Sequence, residues 1–192
     1  MTIFFTSDQH FFHKAIIGYS NRPFKDVEEM NYEIVKRYNE VVGIDDVVYH
    51  LGDFSLNDKF VQPILSRLNG IKHLVSGNHD SCFSKHSKHK KSILKYIEYG
   101  FASVQERMEL SIGDRKFLLC HLPFLKEGDK DQRYPDYRPK NDGQWLLHGH
   151  IHEKWLFRNR MINVGVDRWN YYPVSESKIL DLVAEISEGE QL

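Results

Sequence analysis

The feature that most constrains the fold is a pattern that occurs three times in the first 80 residues. A short apolar, β-prone run ends in polar residues and is followed by a turn-forming or helical segment: "TIFFTSD" (2–8), "VVYHLGD" (47–53) and "IKHLVSGNHD" (71–80). Runs of this length and composition are typical of buried strands. Helical segments between successive strands favour parallel pairing, so the first part of the chain predicts an α/β architecture.

Two segments between these strands predict helices. "DVEEMNYEIVKRYNEVV" (26–42) opens with a capping Asp and early acids, and its apolar residues recur at helical spacing until Gly43. "FVQPILSRLNG" (60–70) predicts a second helix that ends at Asn-Gly.

The second half has a different pattern. "RMELSIGDRKFLLCH" (107–121) predicts two strands around a turn, and further strands are predicted for "QWLLHGH" (144–150), "RMINVG" (160–165) and "SKILDLVAEI" (177–186). We therefore expect a second, mixed or antiparallel sheet that packs on the first. A chain of 192 residues is long enough for one substantial core, so a single domain spanning residues 1–192 is expected.

Composition excludes several classes of protein. The 26 Lys+Arg balance 27 Asp+Glu to a net charge of −1, so the chain as a whole is no polybasic binder of nucleic acid or membranes. Two distant cysteines indicate neither a disulfide framework nor a thiolate zinc site. Without a signal-peptide pattern or a long apolar run, we expect a cytoplasmic protein that does not bind membranes. The local basic run "SKHSKHKKSILK" (84–95) is interpreted first as a solvated helix face and only second as a nucleic-acid contact.

Polar side chains of one chemical kind follow the predicted strands. They are Asp8, His10, Asp53, Asn78, His79, His121, His150 and His152. The carboxyl ends of strands in an α/β sheet converge on one edge, where ligand sites form. Carboxylates together with neutral imidazoles suit Mn, Fe, Zn or Ni, and the set is too large for one ion. Two divalent metal ions are the simplest interpretation, with Mn as the first expectation.

The motifs "SDQH", "LGDFS", "SGNHD", "CHLP" and "HGHIH" stand in the order and at roughly the intervals found in the calcineurin-like metallophosphoesterase family. The chain resembles this family from residue 7 to residue 152, and all five motifs are intact. The resemblance implies a two-sheet α/β sandwich flanked by helices, with a dinuclear metal site at the carboxyl ends of the strands.

The resemblance also implies a role for each matching residue. Asp8, His10 and His152 would hold one metal, while Asn78, His121 and His150 would hold the other. Asp53 would bridge the two ions. His79 matches the general-acid histidine of the family.

Three further residues are considered near this set. His13 and Arg22 follow the first motif, and each is equally well interpreted as binding a substrate phosphate or as part of an ordinary turn. His148 would share a strand face with His150. A structural role, or one in orienting a ligand, is favoured for it over metal ligation because the expected ligand set is complete without it.

These residues predict a metal-dependent phosphoesterase. Two divalent ions carry four positive charges and Asp8 with Asp53 cancels two, so the centre would attract phosphate, and a water bridging the ions would be acidified to hydroxide. We expect a phosphodiesterase that acts on a small, nucleotide-like phosphoester, with attack by that hydroxide and with His79 as general acid. A nuclease acting on DNA or RNA is the main alternative. A catalytically silent metal-binding interaction module and a protein in which the metals only hold loops together are less favoured.

Overall fold

The computed structural model describes residues 1–125 and 131–189, and within residues 188 and 189 it describes the backbone only. It contains ten strands: β1 Ile3–Thr6, β2 Val47–His50, β3 Ile71–Val75, β4 Ser103–Gln105, β5 Arg107–Ile112, β6 Arg115–Cys120, β7 Trp145–His148, β8 Phe157–Arg158, β9 Met161–Asn163 and β10 Val174–Ser175. Five α-helices connect or follow them: α1 Lys14–Tyr19, α2 Val27–Val41, α3 Val61–Leu65, α4 His89–Glu98 and α5 Glu176–Gly189.

The strands form two five-stranded sheets. The first has the order β10-β1-β2-β3-β4, in which β1 to β4 are parallel and β10 is antiparallel. The second has the order β5-β6-β7-β9-β8 and mixes parallel with antiparallel pairs. The predicted α/β class, the parallel first sheet and the mixed second sheet are confirmed.

Alternating side chains on the strands divide the core into layers. In β1, Phe4 joins the cluster that packs against α2, α3 and α4, whereas its neighbour Phe5 joins the cluster between the two sheets. In β6, Phe117 faces the same inter-sheet cluster and Leu118 faces the opposite side of the second sheet. This period of two lets each central strand be buried on both faces.

Helix α2 follows the sequence prediction closely. The side chain of its N-cap residue, Asp26, accepts a hydrogen bond from the backbone N–H of Glu29 at 2.8 Å. Met30, Ile34 and Tyr38 are buried on one face of the helix and contribute to the core beside the first sheet. The predicted helix at 60–70 is shorter than expected, since α3 ends at Leu65 after a 3₁₀ turn over Asp58–Phe60.

The strand predicted at residues 177–186 is wrong, because this segment lies within helix α5. Its apolar residues Ile179, Val183 and Ile186 are spaced by four and three, and all three are buried in the cluster between the sheets. Intervening apolar residues gave the segment the appearance of a continuous strand-like run. Among the described residues, no helix is long and apolar enough to cross a membrane.

Candidate metal centre

The expected metal ligands lie at the carboxyl ends of strands from both sheets. Asp8 follows β1, Asp53 follows β2, and Asn78 follows β3, all in the first sheet. His121 follows β6 and His150 follows β7 in the second sheet. The backbone N–H of Asp8 donates to Gly52 O at 3.0 Å, so the first two of these loops are held side by side.

Five of the seven expected ligands have an unusual backbone conformation. Positive φ angles, between 51° and 72°, occur at Asp8, His10, Asp53, His150 and His152. This left-handed region is uncommon for residues other than glycine and costs on the order of 1–3 kcal/mol per residue. The strained positions are concentrated where the expected ligands converge, which is where such strain is commonly found in functional sites.

Two glycines allow the loops to approach each other. Gly52 has a φ of +91°, and a Cβ on it would lie 2.8 Å from the Nδ1 atom of His121. A Cβ on Gly149 would overlap the Ser7 hydroxyl and the Asp8 carboxylate. Only a residue without a side chain fits at either position, which explains a glycine beside a ligand in both motifs.

The first group of candidate ligands consists of Asp8, His10 and His152, which offer ligand atoms within 4.8 Å of one another. Asp8 Oδ1 lies 4.0 Å from the Nε2 atoms of both histidines. The Nδ1 atom of His152 lies 3.5 Å from the buried carboxylate of Asp167. A carboxylate on that side of the ring orients the opposite nitrogen toward a metal.

Asp53 lies between the first group and His121. Its Oδ2 atom is 3.6 Å from Nε2 of His10 and 3.4 Å from Nε2 of His121, and Asp8, Asp53 and His121 form a second candidate group. His121 donates from Nδ1 to Leu51 O at 2.7 Å, which leaves Nε2 to face the carboxylates. Burial alone would lower the pKa of His121, but Asp53 outweighs it and raises that pKa to about 9.

Asn78 and His150 lie near this group with different surroundings. The side-chain oxygen of Asn78 is buried and has no hydrogen-bond partner among the described residues, as is true of Nε2 in His10 and His121. The Nε2 atom of His150 lies 2.7 Å from Oδ2 of Asp131. Burial lowers the pKa of His150 to about 3, so its ring is neutral and suited to ligation.

Four of the seven expected ligands, His10, Asp53, His150 and His152, line a cavity of about 480 Å³. His79 and His13 line it too, and the His10 ring lies 5.6 Å from the ring of His79 and 5.3 Å from that of His13. The backbone N–H of His79 donates to Asp53 Oδ1 at 2.8 Å, so its loop is fixed to the centre while its side chain faces the opening. Burial lowers the pKa of His79, and the Asp53 carboxylate opposes that effect.

Arg22 is placed differently from the sequence-based expectation. Its guanidinium forms an ion pair with Asp167 at 2.8 and 2.9 Å and donates to the carbonyl oxygens of Asp8 and Gln9. The side chain is fully buried and does not line the cavity. In this structure Arg22 supports the loop that carries two expected ligands, Asp8 and His10, and it is not one of the residues that line the cavity.

His148 ends β7 and is fully buried. Its Nδ1 atom lies 2.8 Å from Gly149 O and its ring lies 4.9 Å from that of Trp155. Burial lowers its pKa to about 3. His148 belongs to neither candidate metal group among the described residues. His50 is likewise a core residue, stacked on Tyr38.

Four residues at the site were not assigned a role from the sequence. Asp80 accepts hydrogen bonds from the backbone N–H groups of Asp53, Phe54 and Gly77 and joins two ligand loops. Asp167 follows β9 and had the same strand-end signal as Asp8 and Asp53. Asp131 and Arg133 belong to the long polar stretch at 126–143, of which residues 126–130 lie outside the described part of the chain. No sequence pattern distinguishes the latter two from other loop residues.

The donor set fits divalent metal ions. Unpartnered imidazole nitrogens and an unpartnered amide oxygen surround two buried carboxylates, although burying polar atoms without partners is unfavourable. A cation held by these atoms would remove that cost.

Comparison with known proteins gives the same assignment. The model of the calcineurin-like phosphoesterase superfamily domain matches residues 1–171. An uncharacterized protein of Methanocaldococcus jannaschii is 36% identical over 97% of this chain and 91% of its own length. The gene 66 protein of Mycobacterium phage L5 is 32% identical over 97% of this chain and 96% of its own length.

Among solved structures, a protein of unknown function from Aquifex aeolicus superposes with a TM-score of 0.71 at 30% sequence identity, covering 94% of this chain and 98% of the other. The family model spans all five motifs from which the resemblance was inferred and extends beyond them at both ends. This chain belongs to the calcineurin-like phosphoesterase superfamily.

Proposed function

We propose that this protein is a metal-dependent phosphodiesterase that hydrolyses a small soluble phosphoester, such as a nucleotide-like molecule. The observation that carries the proposal is the position of Asp53, whose Oδ2 atom lies 3.6 and 3.4 Å from the Nε2 atoms of His10 and His121, which form no hydrogen bond within the described part of the chain. A carboxylate shared by two imidazoles from different sheets is the arrangement expected of a ligand that bridges two ions.

The chain's own residues would hold the ions in two groups. Asp8, His10 and His152 would bind one ion, and Asn78, His121 and His150 would bind the other. When bound, the ions would supply Lewis-acid activation of the phosphate and of the attacking water. Manganese is the first expectation, with Fe, Zn or Ni as alternatives, because borderline ions suit mixed carboxylate and imidazole ligands.

His79 is the proposed general acid. It lines the cavity beside the candidate ligands, and its held backbone and exposed ring support a role as proton donor to the leaving group. As the P–O bond breaks, the leaving oxygen gains negative charge and the imidazolium of His79 donates its proton to it. This aid matters most for poor leaving groups, which is why a diester is favoured over a monoester.

The size of the cavity supports a small substrate. About 480 Å³ lies within the range typical of small-molecule sites. His13 lines the same cavity and contacts His10, its Nδ1 atom lying 3.4 Å from that of His10. We propose that His13 contacts the substrate, whereas Arg22 is directed into the protein.

A turnover screen tests the proposal. The Mn-loaded protein is assayed on phosphomonoesters, linear and cyclic phosphodiesters, and labelled DNA and RNA. We expect turnover of small diesters that is abolished by a chelator while circular dichroism still shows a folded chain. Cleavage restricted to nucleic acid would replace the proposal with a nuclease, and no turnover with any metal would favour the interaction module.

The His79→Asn variant tests the acid separately. It should retain its bound metal and lose on the order of 10²–10⁴ in rate on diesters with poor leaving groups. Nitrophenyl esters, whose leaving group hardly needs a proton, should lose much less. Equal losses on both substrate types would exclude the general-acid role.

A further inference from the structure

A second cavity, of about 460 Å³, lies beside the loop that carries Asn78 and His79 but is separate from the metal centre. Its lining residues come from the loop after β2, the segment after β3 and the first turns of α4, and they include Asp58, His86, Lys88, Lys91, Ser92 and Lys95. The cavity is lined by three lysine side chains and one aspartate, whereas the chain as a whole is near neutral.

The charges in this cavity are not balanced. Asp58 is already engaged, because it lies 3.6 Å from Lys95 Nζ and accepts hydrogen bonds from the hydroxyls of Ser81 and Tyr96. Lys88 and Lys91 have no acidic partner within the described parts of the chain. Two positive charges therefore face this cavity without compensation.

The start of α4 adds further donors. The helix has ten residues, no side chain caps its N-terminus, and its first turn contains no acidic residue. Ser92 lines the cavity, is only 8% exposed, and its hydroxyl has no hydrogen-bond partner among residues 1–125 and 131–189. The Ser92 hydroxyl oxygen is not one of the fully buried atoms, so it is open to the cavity and can donate to a ligand there.

We propose that this cavity is a binding site for a phosphate group. The Ser92 hydroxyl donates to the phosphate, Lys88 and Lys91 neutralise it, and the uncapped end of α4 directs its positive dipole toward it. A phosphate carries the charge and the several acceptor oxygens that this set of donors requires.

The site is connected to the metal centre by two chain segments. Leu56 and His79 line the first cavity, while Asp58 and Ser81, two residues further along each segment, line the second. His86 also lines the second cavity, and its Nε2 atom lies 3.2 Å from the carbonyl oxygen of Asn78. The phosphate group can belong to a free small anion or to the backbone of an oligonucleotide.

The test is a phosphate titration of the full-length chain, loaded with diamagnetic Zn²⁺ and followed by amide chemical shifts. Sodium phosphate should shift the amides of residues 87–92 in a saturable manner, whereas sodium chloride at the same ionic strength should not. We expect Lys91→Gln to weaken this binding about tenfold, since one charge-assisted contact is lost. Ser92→Ala should weaken it severalfold.

Lys90→Gln is the matched control, because Lys90 is exposed on the same helix but does not line the cavity. It removes the same charge and should leave phosphate binding unchanged. Equal weakening by Lys90→Gln and Lys91→Gln would reduce the effect to general electrostatics and overturn the proposal. So would an absence of saturable shifts at 87–92 in the wild type.

Two further titrations distinguish the sources of the phosphate. A short DNA oligonucleotide and its uncharged methylphosphonate analogue are compared with inorganic phosphate. Binding of phosphate and of DNA, both weakened by Lys91→Gln, supports a backbone site, and binding of phosphate alone supports a free anion. Binding of the methylphosphonate analogue as tight as that of DNA would contradict a phosphate site. Failure of this proposal would leave the proposed diesterase activity unaffected, because none of these measurements depends on turnover.

Discussion

The two sides of the candidate metal centre are supported in different ways. On the side of His152, the supporting carboxylate is Asp167, which is 2% exposed and paired with the buried Arg22. On the side of His150, the contacting carboxylate is Asp131, whose side chain is 16% exposed; it pairs with the 65% exposed Arg133 and, at 3.5 Å, with the buried Arg138. One side is part of the core, and the other is contacted by a surface segment.

This difference teaches how the same chemical contact can have different consequences. A carboxylate buried with its own ion-pair partner is fixed before any ligand binds, so it orients the imidazole in advance. A carboxylate that water can reach is partly screened even where one of its partners is buried, as Arg138 is here, so its contact contributes less free energy. We therefore expect Asp167 to determine metal affinity and Asp131 to affect it only slightly. Four measurements test this view, in order of expected effect.

The largest effect is expected at Asp53, which joins the two sides. Asp53→Asn removes a carboxylate that faces both His10 and His121, so metal content and activity should fall together by more than about 100-fold. Elemental analysis of the dialysed protein and phosphodiester turnover are the measurements. Two full metal equivalents in this variant would exclude the bridging role.

Asp167→Asn should have the next largest effect. It leaves the buried Arg22 without its partner and removes the carboxylate beside Nδ1 of His152, so metal affinity should fall about 10- to 100-fold. Calorimetric titration with Mn²⁺ measures it. Asp181→Asn, on the exposed face of α5, is the control and should bind like the wild type. If Asp167→Asn bound metal normally, the core side would have no special role.

Acid stability should depend on two fully buried histidines, His50 in the first sheet and His148 in the second. Burial lowers both pKa values from 6.5 to about 3. Between these values the unfolded chain binds a proton that the folded chain does not, so the free energy of unfolding should decrease as the pH falls, by about 1.4 kcal/mol per pH unit per histidine.

Urea unfolding of the chelator-treated protein between pH 6 and 4 measures this slope. His148→Gln should lower the slope by about one proton, whatever its effect on absolute stability. His73→Gln is the comparison variant: this histidine is only half-buried and burial lowers its pKa as well, so its removal should reduce the slope by less than the removal of His148. An unchanged slope in His148→Gln would mean that His148 is protonated in the folded protein.

The smallest effect is expected for Asp131→Asn. The variant keeps the shape of the side chain but removes a charge that is shared with solvent, Arg133 and Arg138, so Mn²⁺ affinity should change by less than about threefold. A loss as large as that of Asp167→Asn would show that the surface segment is an integral part of the metal site and would remove the difference between the two sides.

The sequence alone predicted the three central strands of the first sheet, β1 to β3, their parallel pairing and the position of helix α2, because strand periodicity, capping and chain order are local signals; it did not predict the edge strands β4 and β10. It also proposed a ligand set from five motifs, and the structure brings Asp8, His10, Asp53, His121 and His152 into two compact groups. The C-terminal segment was misjudged because its apolar residues are too closely spaced to reveal the helical period. The burial of Ile179 in the cluster between the two sheets favours the helix over the strand at this segment.

Only the tertiary structure determined the roles of side chains whose partners lie far away in the sequence. Arg22 and Asp167 are 145 residues apart, and nothing in either local sequence shows that they form an ion pair. A guanidinium has the same donors whether it meets a phosphate or a buried carboxylate, so sequence could not choose between these partners. The tertiary structure makes the choice by bringing the loop after β9 against the loop after β1, where Ser7 pairs with Gly165 and the backbone N–H of Val166 donates to Ser7 O at 3.0 Å.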